Sequence, residues 1–207
     1  MPKVKPERLA ARRNEILEAA ETCFARQGFH QTTIQNVIGE SRLSAGCIYT
    51  HFASKEDLIQ AIGERRHAHD SALFAARGEE LSPLESLRAI ARAFIMDLQK
   101  EQGLRSRRVA LQLWAEALRD EVIHEQVTSG IRKPIAGIVE VVKRGQRLGI
   151  IDGAVNPRAI ARTIVAMFQG LVLQRLWGEP FSVAEATGAF DLLLAGLAAK
   201  RTSGSTK

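Results

Sequence analysis

Residues 32–55, TTIQNVIGESRLSAGCIYTHFASK, carry the pattern that decides the fold of this 207-residue chain. The pattern predicts two short helices joined by a tight turn. Ile34 and Val37 share the inner face of the first helix, and Ile48 and Phe52 share the inner face of the second. The second helix presents small and hydrogen-bonding residues outward, and a helix held in this way can be laid into the major groove of DNA.

Local capping patterns indicate where these helices begin. Thr32 and Gln35 match a capping box for the first helix, and Ser44 is expected to be the N-cap of the second. Ser54 then begins a longer helix with Glu56 in its first turn, where the helix dipole favours acids. The stretch therefore reads as two short helices followed by a long one.

The rest of the chain also has helical periodicity. The stretch from Ile16 to Phe24 repeats apolar residues at helical spacing, and Gly28 is expected to end that helix. The run Ser82-Pro83-Leu84-Glu85 combines an N-cap, a proline at the first helical position and a capping-box glutamate. Pro134 is expected to kink or break a long segment from Asp120 to about Leu148. Because strand alternation is absent from the sequence, we predict an all-α fold.

The last two predicted helices begin at Asn156 and Ser182 and are apolar around much of their circumference, over residues 160–177 and 190–199. A helix of this kind must be covered on more than one side. Burial in the centre of the chain is one explanation. We favour the other, a symmetric four-helix bundle with two helices from each of two subunits, because terminal helices rarely form the middle of a domain. The sequence therefore predicts a homodimer.

The charge balance suits an anionic partner such as DNA. The chain has 29 Lys and Arg residues against 23 Asp and Glu, a formal net charge of +6, and a pI of about 9.7. A solvated basic surface is the alternative, because total charge alone does not separate the two. The first thirteen residues are expected to form a flexible basic arm before the first helix, with Lys3, Lys5, Arg8, Arg12 and Arg13.

Targeting signals and cysteine usage both favour a cytoplasmic location. The N-terminus lacks a charged-then-apolar signal pattern, and no apolar run is expected to be long enough to cross a bilayer. A reducing cytoplasm would keep Cys23 and Cys47 as thiols. Cys23 falls on an apolar helix face and is expected to be a small core residue. Cys47 lies near the outer face of the second short helix, where a redox-sensing role is an alternative to simple packing.

The sequence offers little support for an enzyme or a metal sensor. It has no Gly-rich phosphate loop and no clear nucleophile–base spacing. His67 and His69 are two residues apart on a predicted helix, so they point to different faces, and no cysteine joins them. We therefore predict a non-enzymatic protein without a cofactor or metal.

Many residue types across residues 12–62 follow one known signature. It includes Ile16, Phe24, Gly28, Thr32, Thr33, the run from Ser44 to Phe52, and Ser54-Lys55-Glu56 with Leu58. In these residues the chain resembles the N-terminal domain of the tetracycline-repressor (TetR/AcrR) family of transcription regulators. The C-terminal two thirds resemble the family in architecture only.

The resemblance implies two functional regions. Residues 1–55 would be the basic arm and a three-helix DNA-binding domain with a helix-turn-helix. Residues 56–207 would be a larger helical domain for ligand binding and dimerisation, with the dimer bundle at about residues 156–199. Such a homodimer would bind a palindromic operator on double-stranded DNA and repress transcription until a small hydrophobic effector releases it. The alternative is a helical adaptor or interaction protein with a vestigial helix-turn-helix.

Chemistry and resemblance together select the residues expected to contact DNA. Ala45 and Gly46 would allow close approach of the DNA backbone, and Tyr49 would reach a phosphate. Thr33 resembles the phosphate-contacting threonine of the family. No Arg, Asn or Gln stands on the outer face of residues 44–52, so DNA shape is expected to contribute to specificity. The expected DNA-binding residues are Thr33, Gln35, Arg42, Ser44, Ala45, Gly46, Cys47, Tyr49, Thr50, His51 and Lys55.

The resemblance also implies a pocket for the effector, enclosed by the fourth to eighth helices. Large apolar residues of that region are its candidate lining, with one histidine as a polar contact. Ordinary core packing is the alternative for each of them. The candidates are Phe94, Met96, Leu113, Trp114, His124, Phe168 and Trp177.

Two residues depart from the family pattern. Arg42 stands in the turn where the family usually has glycine, so a positive φ there would cost about 1 kcal/mol unless the turn is reshaped. Ile38 stands where a small alanine is common, which predicts slightly more distance between the two short helices.

Overall fold

Nine α-helices contain most of the residues that the computed structural model describes, which are 6–75 and 81–198. Within these ranges the extended pairing is limited to one isolated antiparallel bridge between Ile151 and Ala198. The predicted all-α fold is confirmed. The helices are α1 (Pro6–Gln31), α2 (Ile34–Ser41), α3 (Ala45–His51), α4 (Lys55–Ala75), α5 (Pro83–Leu98), α6 (Glu101–Glu116), α7 (Glu121–Arg147), α8 (Pro157–Leu176) and α9 (Val183–Ala195).

The helices pack into two compact units. Unit 1 contains the described residues up to Ala68 together with Arg105–Ser129, and unit 2 contains His69–Leu104 together with the described residues from Gly130 onward. Unit 1 thus includes α1, α2 and α3, and unit 2 includes α5, α8 and α9. The functional boundary predicted at residue 55 is a separate question and stays a prediction.

An apolar core holds unit 1 together. Ile16 and Phe24 of α1 and Ile48 of α3 are completely buried in it. The rings of Phe24 and Phe29 meet edge to face, with their centroids 4.9 Å apart. Gln112 Nε2 donates a hydrogen bond to the Phe24 carbonyl at 3.0 Å, which ties α6 to α1. The two short helices α2 and α3 therefore pack on a buried apolar core.

Gly28 ends the regular part of α1, as predicted. Its φ of 81° and ψ of 167° are non-helical, and the chain makes one more short turn to Gln31. Both the main-chain N–H and the hydroxyl of Thr32 donate to the Gly28 carbonyl, at 3.2 and 2.7 Å. Because L side chains rarely adopt this φ, glycine is the residue that permits the sharp exit from α1.

The capping box of α2 lies one residue later than predicted. Thr33, not Thr32, is the N-cap, and its hydroxyl accepts from the Asn36 N–H while the Asn36 side chain accepts from the Thr33 N–H. Thr32 is buried against Gly28, and Gln35 points to solvent. The prediction of Thr32 and Gln35 as the capping pair is wrong, because the two adjacent threonines match the same local pattern.

The basic arm is shorter than predicted. α1 begins at Pro6, so Arg8, Arg12 and Arg13 belong to its first turns rather than to a flexible segment. Proline at the first helical position and Glu7 in the first turn are typical of a helix start, which explains the early beginning. Lys3 and Lys5, like residue 199 at the end of the predicted dimer bundle, lie outside the described residues.

Unit 2 has its own core, built around three stacked phenylalanines. Phe94 of α5 and Phe168 of α8 are stacked with centroids 4.5 Å apart, and Phe190 of α9 lies 5.9 Å from Phe168. On the surface of unit 2, Arg88 Nε donates to Asp191 Oδ1 at 2.9 Å. These contacts pack α5, α8 and α9 into one core.

The predicted starts of the helices in unit 2 are confirmed. Ser82 and Glu85 form a complete capping box for α5, and Ser182 and Glu185 form one for α9. The N–H of Ser182 donates to the Glu185 carboxylate at 2.7 Å, and this bond lowers the pKa of Glu185 below its ordinary value. Asn156 caps α8 by accepting from two main-chain N–H groups.

Pro134 does not break α7, which continues from Glu121 to Arg147. The prediction of a break is wrong because the turns on both sides of the proline are packed: Ile131, Ile135 and Ile138 all contact the core of unit 2. Full burial of one such side chain contributes roughly 1.5–3 kcal/mol, and Ile138 is fully buried whereas Ile131 and Ile135 are partly buried. Together these contacts offset the cost of about 3 kcal/mol for an internal proline.

One helix contradicts the expectation about membrane-spanning length. α8 is sufficient by length and composition to cross a membrane, and only 28% of its apolar stretch is buried. The expectation that no apolar run has that length is therefore wrong. A helix covered by a second copy of the chain has the same composition, because both of its apolar sides face protein.

Arg42 has the backbone conformation that the family's glycine would adopt. Its φ is 57° and its ψ is 21°, and its N–H donates to the Ile38 carbonyl at 3.0 Å to end α2. The turn is therefore not reshaped, and the left-handed residue carries a strain of about 1–2 kcal/mol.

Replacing Arg42 with glycine should raise the free energy of unfolding by up to about 1 kcal/mol. Relief of the left-handed strain exceeds the extra chain entropy that glycine brings to the unfolded state, about 0.5–1 kcal/mol. Urea unfolding measures the change. Ser41→Gly is the control: Ser41 is the last helical residue of α2, so glycine there should lower stability. An Arg42→Gly variant less stable than the starting protein would contradict the assignment of strain.

Candidate nucleic-acid interface

The inner faces of α2 and α3 are buried as the sequence predicts. Ile48 and Val37 are fully buried, and Phe52 is nearly so. Ile34, Ile38 and Leu43 are partly buried against the same core. This packing fixes the orientation of α3, and therefore also decides which of its residues face outward.

The outer face of α3 is open. Ala45, Gly46, Tyr49 and Thr50 are exposed, with 53% of Tyr49 accessible, whereas His51 is half-buried. A Cβ placed on Gly46 would meet no atom within 4 Å. The absence of a side chain at this position is therefore not required by packing within the described residues, and it leaves a smooth surface for close contact.

The hydroxyls of this face are already partly engaged. Ser44 Oγ accepts from the Cys47 N–H at 3.3 Å, so its own hydrogen remains available to an outside acceptor. Thr50 Oγ1 donates to the Gly46 carbonyl at 2.7 Å, so its oxygen remains available mainly as an acceptor. The two hydroxyls thus present opposite hydrogen-bonding roles.

A network of polar side chains surrounds the start of α2. Asn36 Oδ1 accepts from the Thr33 N–H at 2.8 Å, from Thr33 Oγ1 at 2.9 Å and from Gln27 Nε2 at 3.0 Å. The last bond connects α1 to α2. Gln35 lies beside this network and points to solvent.

Two basic residues make contacts beside the helix-turn-helix. Lys55 Nζ donates to the Phe29 carbonyl at 3.1 Å, which links the beginning of α4 to the last turn of α1. The Arg13 guanidinium lies 5.2 Å from the centroid of the Phe52 ring, a cation–π contact. Both side chains therefore support the position of α3. The Lys55 ammonium has two further hydrogens that could serve a phosphate.

The two cysteines differ in environment. Cys23 is fully buried, and burial raises the pKa of its thiol, with Glu40 adding to the rise. A buried thiol of raised pKa is an unreactive core residue, as expected for Cys23. Cys47 is half-buried and is not part of a disulfide.

The candidate effector residues are distributed over both units. In unit 2, Phe94 and Phe168 are buried and in contact, whereas Met96 is exposed and Trp177 is 72% accessible.

In unit 1, Leu113 is buried in the core and Trp114 is half-buried. His124 is exposed, with its Nδ1 3.1 Å from the Ala117 carbonyl oxygen. The structure brings Phe94 and Phe168 together; the effector role of the whole set stays a prediction.

Family models account for both parts of this architecture. Residues 16–62 match the model of bacterial regulatory proteins of the tetR family. Residues 83–199, more than half of the chain, match the C-terminal model of BetI-type transcriptional repressors. The chain belongs to the TetR family. It is therefore a DNA-binding transcriptional regulator and not an enzyme.

Individual relatives extend over most of the chain. The transcriptional regulator TtgR of Pseudomonas putida is 28% identical over 168 residues, which cover 80% of this chain and 79% of TtgR. Salmonella enterica GusR has a structure with a TM-score of 0.75 and 25% identity, covering 94% of this chain and 97% of GusR. SmeT of Stenotrophomonas maltophilia, described as the repressor of the multidrug efflux pump SmeDEF, has a TM-score of 0.72 and 24% identity, covering 91% of each chain.

Membership of the TetR family gives a structural role to Gln27, which sequence reasoning missed, and to contacts of Arg13 and Asn36 that it did not predict. Gln27, Arg13 and Asn36 all support the helix-turn-helix of this regulator through contacts described above. The threonine–x–x–asparagine spacing from Thr33 to Asn36 could have indicated the true cap. The contact of Arg13 with Phe52 joins residues 39 positions apart, and nothing local in the sequence indicates it.

Proposed function

We propose that this regulator is a repressor that binds a palindromic operator as a homodimer and is released by a small hydrophobic effector. The observation that carries the proposal is α3: its inner face is buried, and its outer face is open, with small residues at Ala45 and Gly46. Such a helix can enter the major groove with its backbone close to the DNA. The match to BetI-type transcriptional repressors supports the sign of regulation.

Selection of operators from random and genomic DNA tests the proposal. We expect enrichment of two inverted half-sites about one helical turn apart, or a multiple of it, because a symmetric dimer presents two α3 helices. Transcription from a promoter with that site should fall when the protein is present. Absence of an enriched sequence would favour the adaptor alternative, and increased transcription would make the protein an activator.

We propose that the candidate residues on the outer surface have two roles, contact with phosphates and contact with base edges. Tyr49, His51 and Lys55 contact phosphates, which positions the protein without reading sequence. The residues that lie toward the base edges are Ser44, Ala45, Gly46, Cys47 and Thr50. They are flanked by Gln35 and Arg42. The exposure of Tyr49, Thr50 and Arg42 in the described structure supports this arrangement.

Replacing Tyr49 by phenylalanine should weaken binding about tenfold on operator and on unrelated DNA alike. A hydrogen bond to a charged group contributes roughly 1.5–3 kcal/mol, and a phosphate contact carries no base preference. Affinities are measured on both duplexes at several salt concentrations. Because the phenol is exposed, the melting temperature should not change. A loss confined to the operator would show instead that Tyr49 reads a base.

The dimer is proposed to form through α8 and α9, which expose apolar residues in the single chain. In α9, Leu192 is 78% accessible and Leu193 is also exposed. In α8, Ala159, Ala166 and Gly170 recur at helical spacing and are not buried. Two copies of such a surface can bury each other's apolar residues and bring their helices close together.

Replacing Leu192 by aspartate should convert the dimer to a monomer, because an unpaired carboxylate would be buried in the interface. Sedimentation at micromolar concentration measures the mass. The matched control is Leu118→Asp, since Leu118 of unit 1 is equally exposed and lies outside the two helices. A monomeric starting protein, or a monomeric control, would contradict the proposed interface.

The effector is proposed to be small and hydrophobic, and the protein to act in the cytoplasm. The solved SmeT–triclosan complex, 24% identical to this chain with a TM-score of 0.68, supports the proposal of such a compound. A thermal-shift screen of metabolites and hydrophobic drugs, with triclosan among them, tests the idea. A ligand at 100 times its Kd stabilises the protein by about 2.7 kcal/mol. A true effector should also lower operator affinity, which separates it from an incidental binder.

A further inference from the structure

The side-chain amide of Asn36 is oriented by its own hydrogen bonds. Its Oδ1 accepts three of them, from the Thr33 N–H, from Thr33 Oγ1 and from Gln27 Nε2, at 2.8–3.0 Å. A main-chain N–H can only donate, so the atom facing it must be the oxygen of the amide. The Nδ2 group consequently lies at the opposite corner of the planar amide, away from these three donors.

The hydroxyl of Thr33 has no free hydrogen to donate to a phosphate. Its hydrogen is donated to Asn36 Oδ1 at 2.9 Å, and its oxygen accepts the Asn36 N–H at 3.3 Å. Since phosphate oxygens only accept, a contact from this hydroxyl would require the bond to Asn36 to break first. The main-chain N–H of Thr33 is occupied in the same way.

Asn36 Nδ2, by contrast, has two hydrogens without a protein partner among the described residues. The residue is exposed, and the first turn of α2 contains no acid that would repel an anion. The first helix of a helix-turn-helix crosses the DNA backbone. Donors on its exposed surface therefore face phosphate oxygens in the complex.

We propose that Asn36 is a phosphate-contacting residue of this regulator and takes the role that resemblance gives to the Thr33 hydroxyl. Its Nδ2 donates to a phosphate oxygen, and Gln27 is a positioning residue that holds the amide through Oδ1. This assignment depends on the DNA-binding role of α2 and α3. It explains how one residue both completes the capping box of α2 and contributes to DNA binding.

The test is Asn36→Asp, which keeps the shape and the accepting oxygen, removes the two N–H donors and adds a negative charge. Aspartate at this position still accepts the three hydrogen bonds and favours the helix dipole, so the melting temperature should be unchanged or higher. Affinity for a 30-base-pair duplex of the selected operator should fall about tenfold or more. The matched control is Asn156→Asp, the same exchange at the exposed N-cap of α8, which should leave DNA affinity unchanged.

Neutral DNA linkages separate a direct contact from general repulsion. Methylphosphonates are placed one at a time along the operator, and both proteins are measured on each duplex. One position should bring the original protein and the Asn36→Asp variant to nearly equal affinity, because the contacted charge is then absent. An unchanged affinity of Asn36→Asp, or a deficit spread evenly over all positions, would overturn the contact. Failure to bind any operator would instead contradict the proposed function.

Discussion

Replacing Gly46 by glutamate is expected to abolish operator binding at physiological salt and to leave the protein folded. Gly46 lies on the outer face of α3, where an added Cβ meets no atom within 4 Å. An acid in the first turn of a helix is favoured by the helix dipole, and glycine is a poor helix former. Stability should therefore be equal or slightly higher.

The effect on DNA is of the opposite sign and much larger. A carboxylate placed against phosphates and base edges costs several kcal/mol, so we expect a loss of at least about 100-fold in affinity. Gly46→Ala isolates the steric part of the effect and should cause a smaller loss. Affinities are measured by fluorescence anisotropy of the labelled operator.

The control for this variant is Gly137→Glu. Gly137 is exposed on α7 and equally free of neighbours within 4 Å, but it belongs to unit 2. The Gly137→Glu variant should bind the operator with the same affinity as the starting protein. Normal operator binding by Gly46→Glu would show that the outer face of α3 does not approach the DNA.

The second large effect concerns stability. Replacing Phe24 by alanine should lower the free energy of unfolding by about 3–5 kcal/mol, because the ring is completely buried and its removal leaves a cavity against Phe29. This is a large part of the roughly 5–15 kcal/mol that stabilises a typical domain. Unfolding in urea, followed by circular dichroism, measures the loss.

Since Phe24 supports the core on which α3 rests, DNA binding should be lost at a lower temperature than in the starting protein. Leu118→Ala removes a comparable apolar side chain from an exposed position and should change stability by less than about 0.5 kcal/mol. A loss below about 1 kcal/mol for Phe24→Ala would mean that the core of unit 1 collapses around the vacancy.

Local patterns predicted the parts of this fold that depend on neighbouring residues. The inner faces formed by Val37, Ile48 and Phe52 follow from helical spacing, and the caps at Ser82 and Ser182 follow from a motif of four residues. The capping motif does not decide the start of a helix where two adjacent residues can both serve as the N-cap. Thr32 and Thr33 both match a cap, and only the turn at Gly28, which buries Thr32, decides between them.

Other features depend on contacts between distant parts of the chain. The bond from Lys55 to the Phe29 carbonyl spans 26 positions, and the hydrogen bond between His30 and Glu116 spans 86. Tertiary packing also overrides local preference, as it does where α7 passes through Pro134. The sequence therefore predicts which helix is expected to meet DNA, whereas the contacts that hold that helix in place become visible only in three dimensions.

The placement of the two tryptophans provides the protein with an internal optical reporter. Trp114 is half-buried in unit 1, Trp177 is exposed at the end of α8 in unit 2, and the chain has no third indole. Indole emission moves to shorter wavelength when water is excluded. In a Trp114→Phe variant the emission therefore reports on the surroundings of α8 alone, and in a Trp177→Phe variant on those of α6. Each half of the molecule can thus be followed by its own intrinsic fluorescence, without an attached dye.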